Sequence, residues 1–191
     1  HADPPKVLVL GDTSHGKSSL LERLTMRPMF PHDTGMCTKM PVVVEMRRGE
    51  AKEMPTLTPQ LQSGSWTAQP ENPQLFIPYG FAESMVRTEM DRLIKQRHQQ
   101  DKTISTNQRI LLRSRHPSAV NLDLIDMPGL QPKQNDEAET LVRNYIQQHH
   151  HNVIVLLLVR ADQYRGADQS RSWLVMQSLL QQYPHLRDRT V

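Results

Sequence analysis

Residues 6–24 read Lys-Val-Leu-Val-Leu-Gly-Asp-Thr-Ser-His-Gly-Lys-Ser-Ser-Leu-Leu-Glu-Arg-Leu. Lys6 to Leu10 is a short, unbroken apolar run stopped by Gly11. Continuous rather than alternating apolarity fits a strand covered on both faces. Gly11 to Ser18 then satisfies G-x-x-x-x-G-K-[ST] in full, and Ser18 to Thr25 has the helical spacing of Leu20, Leu21 and Leu24. Strand, glycine-rich turn and helix in that order form a cradle for phosphate. Glycine lets successive backbone N–H groups turn inward, and the helix adds its positive dipole end. In such a cradle Lys17 reaches the β- and γ-phosphates. The Ser18 hydroxyl is an oxygen ligand for Mg2+. The other loop positions, Gly11, Asp12, Thr13, Ser14, His15, Gly16 and Ser19, are candidate nucleotide-binding residues.

A second motif, Asp126-Met127-Pro128-Gly129, ends the apolar strand of residues 121–125. A carboxylate at the C-terminal edge of such a strand is placed to hold Mg2+ through water. Gly129 can offer its N–H to a γ-phosphate with no side chain in the way. A third segment, Gly35-Met36-Cys37-Thr38-Lys39-Met40-Pro41, lies between the first helix and the next strand, Val42 to Met46. Thr38 is the candidate there for closing over Mg2+ and the γ-phosphate. The predicted metal ligands are thus Ser18, Thr38 and Asp126, and the catalytic set is Ser14, Lys17, Thr38 and Gly129. Four of the eight glycines (Gly11, Gly16, Gly35, Gly129) fall in these three loops. A D-x-x-G loop favours a GTP-driven switch over a kinase or a transport ATPase.

The rest of the chain alternates strand and helix, which indicates an α/β protein with a mostly parallel sheet. Ala82 to His98 is predicted as an amphipathic helix, with Met85, Val86, Met90, Leu93 and Ile94 on one face. Arg109–Arg115 and Val120–Asp126 are predicted strands flanking a His116-Pro117-Ser118 turn, and they are expected to pair as a hairpin. A helix over Glu137–Gln148, a strand over Asn152–Val159 and a helix over Asp168–Gln182 follow. Met54 to Pro78 is proline-rich and weakly patterned and is read as a surface insertion.

Composition narrows the functional classes. The 191 residues suit one domain, and a formal net charge of +3 is too small to imply a nucleic-acid partner. The longest apolar run, Val153 to Val159, is far short of a bilayer span. One cysteine, Cys37, excludes a disulfide framework and suits a reducing compartment, hence a cytoplasmic location. His149-His150-His151 reads as a solvated helix end rather than a metal site. Three adjacent histidines point in different directions, and no cysteine or acidic ligand stands at convincing spacing. Arg87, Arg92, Lys95, Arg97 and Lys102 are interrupted by Glu83, Glu89 and Asp91 and read as a solvated face. The chain begins with His1 and ends in Arg187-Asp188-Arg189-Thr190-Val191, which reads like the start of a strand. It is therefore expected to be a piece of a longer protein.

GDTSHGKSSLLERL, TGMCTKMPVVVEMRR and LDLIDMPGL together resemble the dynamin superfamily of large GTPases, dynamin- and Mx-like members included. ISTNQRILLRS, YIQQHHHNVIVLLLVRAD and RDRTV are similar to that family's GTPase domain in order and spacing. The resemblance covers residues 6–191. It implies a three-layer P-loop NTPase fold and a partial GTPase domain over 1–191. The guanine-reading T-K-x-D motif, the stalk and the bundle elements are absent from the chain. It also implies GTP binding and Mg2+-dependent hydrolysis, with Ser14 positioning a charge-compensating cation or the γ-phosphate. Thr38 would orient the attacking water, and Gly35 and Gly129 would supply backbone groups near it. In the parent protein it implies self-assembly and membrane remodelling or antiviral trapping, with association to membrane or microtubules. Thr13 stands where the family has Gln or Glu, and His15 where it has a small residue. A degenerate, non-hydrolysing interaction module is the alternative from another class, and an adenine-specific P-loop enzyme is a third.

Overall fold

A computed structural model of the chain describes residues 3–25, 41–49, 56–61, 75–76, 88, 92, 108–131, 137–160 and 170–191. Seven strands are described: β1 (Lys6–Gly11), β2 (Val42–Arg48), β3 (Thr56–Leu61), β4 (Leu75–Phe76), β5 (Gln108–His116), β6 (Leu122–Asp126) and β7 (Val153–Leu158). Three helices are described over their whole length: α1 (Lys17–Thr25), α2 (Glu137–His149) and α3 (Arg171–Gln182), and a 3-10 turn spans Pro184–Arg189. The strands form one sheet in the order β4-β3-β5-β2-β6-β1-β7. Over the five strands from β5 to β7 the sheet is mostly parallel. β5 and β2, β6 and β1, and β1 and β7 pair in parallel, with one antiparallel junction between β2 and β6.

Apolar side chains leave β1 on both faces, which makes the molecule three-layered. Leu8 and Leu10 join Val43, Leu111 and Ile125 against α2 and α3. Val9 joins Val42, Val44, Ile110, Leu112 and Leu124 against Leu21 of α1. This is why the strand runs are continuous rather than alternating. In α2 the buried residues Ala138, Leu141, Val142, Tyr145 and Ile146 repeat at three- and four-residue intervals and lay one stripe on the sheet. Glu137 and Glu139 in its first turn match the helix dipole. Truncating Leu141, which is 2% exposed, would cost about 2–5 kcal/mol. No helix among the described residues is long and apolar enough to cross a membrane.

The expected hairpin is corrected by the topology. β5 and β6 do run in opposite directions, but β2 lies between them. The Pro117–Asn121 connection passes over the end of β2 and holds it. The Arg48 amide donates to Asn121 Oδ1 at 2.7 Å, and the Arg48 Nε to the Pro117 carbonyl at 3.1 Å. Local turn chemistry gives the reversal of direction, but not whether a third strand occupies the gap.

The 54–78 stretch contributes β3 and β4, antiparallel additions beyond β5. Pro59 is tolerated because β4 reaches only Thr56 and Leu57, so the strand is an edge at the proline. The Ala82–His98 helix falls outside the described residues apart from Thr88 and Arg92, both helical. At the other edge, Val191 donates to the Val155 carbonyl at 2.9 Å and accepts from Leu157 N at 2.8 Å. Thr190–Val191 therefore start a parallel pairing beside β7, as their sequence suggests.

Candidate functional site

The site gathers at the carboxyl ends of β1 and β6 and the start of α1. β1 ends at Gly11, and the chain turns through Ser14 at φ 64° and Gly16 at φ 83° before α1 begins at Lys17. Gly16 adopts the left-handed region freely. Ser14 pays about 1 kcal/mol for it, a local strain of the kind held at binding loops. The turn is closed by His15 N donating to the Asp12 carbonyl at 3.3 Å.

Lys17 is 7% exposed, and its ammonium curls back over the loop. It donates to the Asp12 carbonyl at 3.0 Å and the Gly11 carbonyl at 3.2 Å. Both carbonyls are neutral, and a buried cation gains by exchanging neutral acceptors for anionic oxygens. α1 opens its N-terminal amides and dipole end onto the same space. Its stripe of Lys17, Leu21 and Thr25 anchors it to the sheet.

Ser18 Oγ donates to Asp126 Oδ2 at 3.4 Å. Asp126, the last residue of β6, is 1% exposed. A hydroxyl and a buried carboxylate this close are a pair of hard oxygen donors. Their chemistry fits Mg2+, with the hydroxyl as direct ligand and the carboxylate acting through water.

Gly129 follows three residues after Asp126 and rests on the phosphate loop itself. A Cβ at Gly129 would lie 2.8 Å from Thr13 Cα and 2.9 Å from Thr13 N, so only glycine fits. Thr13 N donates to the Leu130 carbonyl at 3.2 Å and Leu130 N to the Gly11 carbonyl at 3.2 Å. These bonds make Asp12 and Leu130 a parallel bridge that extends the sheet into the site.

Asp12 and His15 have roles that the motif alone does not reveal. The Asp12 carboxylate accepts from Ser172 N at 2.7 Å and Arg171 N at 3.1 Å, so it caps α3 from outside. Ser170 caps the same helix from within, its Oγ accepting from Trp173 N at 3.2 Å. His15 turns away from the cradle toward β7, with Nδ1 3.1 Å from the Leu158 carbonyl. Since a carbonyl only accepts, Nδ1 carries the proton in that contact. Arg171 in turn pairs with Glu139 of α2, which also accepts from Arg143 at 2.9 Å. Burial pulls the Glu139 carboxyl up, but the two arginines outweigh it and hold it below its ordinary range.

Of the predicted residues, Gly11, Asp12, Thr13, Ser14, His15, Gly16, Lys17, Ser18, Asp126 and Gly129 converge in this region. Ser19 is exposed at the start of α1. Gly35 and Thr38 lie outside the described residues. Nothing in the motifs points to Leu130, Leu158 or the Arg171–Ser172 amides as partners. Backbone partners leave no side-chain signature, although the N-cap residue type of Ser170 marks the start of α3.

Residues 7–179 match the model of the dynamin family. The chain is 31% identical over 128 residues to Dynamin-A of Dictyostelium discoideum, covering 67% of this chain and 14% of that protein. It is 28% identical over 152 residues to Dynamin-related protein 3A of Arabidopsis thaliana, covering 75% and 18%. With Dynamin-1-like protein of Mus musculus it shares 26% over 135 residues, covering 66% and 17%. The chain thus spans less than a fifth of the length of these relatives. With the family match running through the phosphate loop, the Asp126–Gly129 turn, α1, α2 and most of α3, the chain belongs to the dynamin family.

Proposed function

We propose that the chain binds GTP together with Mg2+ and hydrolyses it. The observation that supports this most is the joining of the two motifs: Ser18 Oγ lies 3.4 Å from Asp126, and Gly129 packs on Thr13. In the bound state the Lys17 ammonium leaves the Gly11 and Asp12 carbonyls for the β- and γ-phosphate oxygens. Ser18 would hold Mg2+ directly and Asp126 through water, with Thr38 closing over it. The metal supplies neutralisation of the charge developing on the phosphates. The loop N–H groups and α1's dipole end stabilise the same charge, and Ser14 faces the γ-phosphate or a compensating cation. Thr38, Gly35 and Gly129 orient the attacking water. Guanine rather than adenine is the expected base, because the Asp126–Gly129 and Thr38 segments are those of a GTP switch.

In a longer protein this domain would self-assemble through a helical stalk. It would act in the cytoplasm at a membrane or cytoskeletal surface, with no direct nucleic-acid contact. Release of inorganic phosphate from Mg2+-GTP tests the central reading, with Lys17→Ala as control. Phosphate release by the parent and at least a hundredfold less by the variant is expected. Equal rates in both would contradict it.

A second reading has its own observation. Thr13 stands where the family resemblance expects Gln or Glu, and its N–H and hydroxyl both face the Leu130 carbonyl, at 3.2 and 3.5 Å. That arrangement favours nucleotide binding with slow turnover, as in an interaction module. Thr13→Gln separates the two: a rise in turnover supports the slow-turnover reading, and no rise in a briskly active parent removes it.

A further inference from the structure

The end of β7 remote from the phosphate loop carries a cluster of histidines that the nucleotide site does not use. His149, His150 and His151 leave α2 at its turn into β7, and His185 stands in the 3-10 turn after α3. The adjacent histidines do diverge, as their sequence suggests. His149 turns inward beside Tyr145, its ring centroid 4.5 Å away, and lines a small cavity of about 90 Å³ with Lys6, Glu45, Arg109 and Asp123. His150 and His151 turn outward to meet His185, which the sequence places far along the chain. One ring nitrogen from each of the three lies within 4.8 Å of the others. Nδ1 of His150 and Nε2 of His185 are 3.1 Å apart.

We propose that His150, His151 and His185 form a binding site for a first-row divalent transition metal of the zinc class. Two imidazole nitrogens on one tetrahedral zinc lie roughly 3.4 Å apart at ordinary bond lengths, close to the His150–His185 approach. Imidazole suits zinc, copper and nickel over magnesium or calcium, so this site does not compete for the cation of the nucleotide cradle. The His150 ring is held in place before any metal arrives. Tyr183 stacks on His150 with centroids 4.5 Å apart and a 22° tilt, and His151 and His185 lie nearly parallel at 9°. Pro184 sets the backbone just before His185. The nearby guanidinium of Arg189 is turned onto the His151 carbonyl, which keeps its charge directed at backbone oxygen. Exposed His151 and His185 can rotate to close the remaining gap and leave the fourth position to water.

Such a metal would staple the α2–β7 turn to the 3-10 turn whose next residues, Thr190 and Val191, pair with β7. β7 has six residues, so the site lies about 20 Å from the His15–Leu158 contact and is separate from the phosphate loop.

The test uses the whole chain, free of any polyhistidine tag, loaded with Zn2+ and dialysed against metal-free buffer. Metal is counted by mass spectrometry, and Co2+ is substituted to read geometry from its visible absorption. One retained Zn2+ per chain, a tetrahedral Co2+ spectrum, and at least tenfold weaker binding by His185→Ala are expected. His151→Ala, at a second exposed position, should weaken binding likewise, and both variants should melt at the parent's temperature in chelator. The parent's midpoint should rise with Zn2+ while those of the variants do not. No retained Zn2+, or equal retention by parent and His185→Ala, would overturn the proposal and leave a hydrogen-bonded histidine pair only.

Discussion

Gly129 sits against Thr13 so closely that a single added methyl would lie 2.8 Å from the Thr13 Cα. With the Thr13–Leu130 and Leu130–Gly11 hydrogen bonds beside it, this contact makes the phosphate loop and the Asp126–Gly129 turn one body. Movement of either loop must therefore be felt by the other. Because the clash is with backbone, neither side can yield cheaply. Gly129→Ala is expected to cost about 1–3 kcal/mol in chemical denaturation and to weaken GTP binding at least tenfold. A variant with the parent's stability and affinity would show that the two loops are not packed together.

Asp12 ties the phosphate loop to α3 through two backbone amides. Asp12→Ala removes both acceptors at a helix N-terminus and should lower stability by about 1–2 kcal/mol. Asp12→Asn keeps one acceptor and should fall between. Hydrogen exchange at Arg171 and Ser172 reads the effect directly. Unchanged protection of those amides in Asp12→Ala would contradict the capping role.

Much of this was legible in residues 6–24 alone, because a continuous apolar run, two spaced glycines and a leucine repeat each report a local rule. The stripe of α2 was legible for the same reason. What could not be read was pairing across distance. The 116–118 turn gives a reversal, yet β2, supplied from residues 42–48, fills the space between the two strands. Asp12 looks like a loop residue for phosphate until the fold brings α3 to its carboxylate. His185 is silent in sequence, and only the packing of the 3-10 turn against the α2–β7 turn sets it beside His150.

Glu139 joins α2 to α3 through Arg171, with Arg143 as a second partner. Its folded carboxyl titrates below the ordinary 4.5. Between the lowered value and 4.5 the unfolded chain binds more protons, so stability rises with pH there. The pair's contribution is present above about 4.5 and lost as pH falls through the lowered value. Glu139→Gln should cost about 2 kcal/mol at pH 7 and nearly nothing at strongly acidic pH, measured by urea denaturation at each pH. A cost independent of pH would exclude the charged pair as its source.

Ser18 and Asp126 stand as the metal-facing oxygen pair. Ser18→Ala should leave the fold intact and raise the Mg2+ concentration needed for GTP turnover at least tenfold. A Mg2+ titration of phosphate release gives this shift, and an unchanged midpoint would place the cation elsewhere.

The most direct test of the account is equilibrium binding of a fluorescent GTP analogue, with Mg2+, to the parent chain and to Lys17→Ala. Lys17 is the buried cation poised over the loop, 3.0 Å from the Asp12 carbonyl. Losing its charge-assisted contacts should cost about 3 kcal/mol or more, over a hundredfold in affinity, with the melting temperature of the free protein little changed. Equal affinity of parent and variant would contradict the assignment of residues 11–18 as the triphosphate cradle.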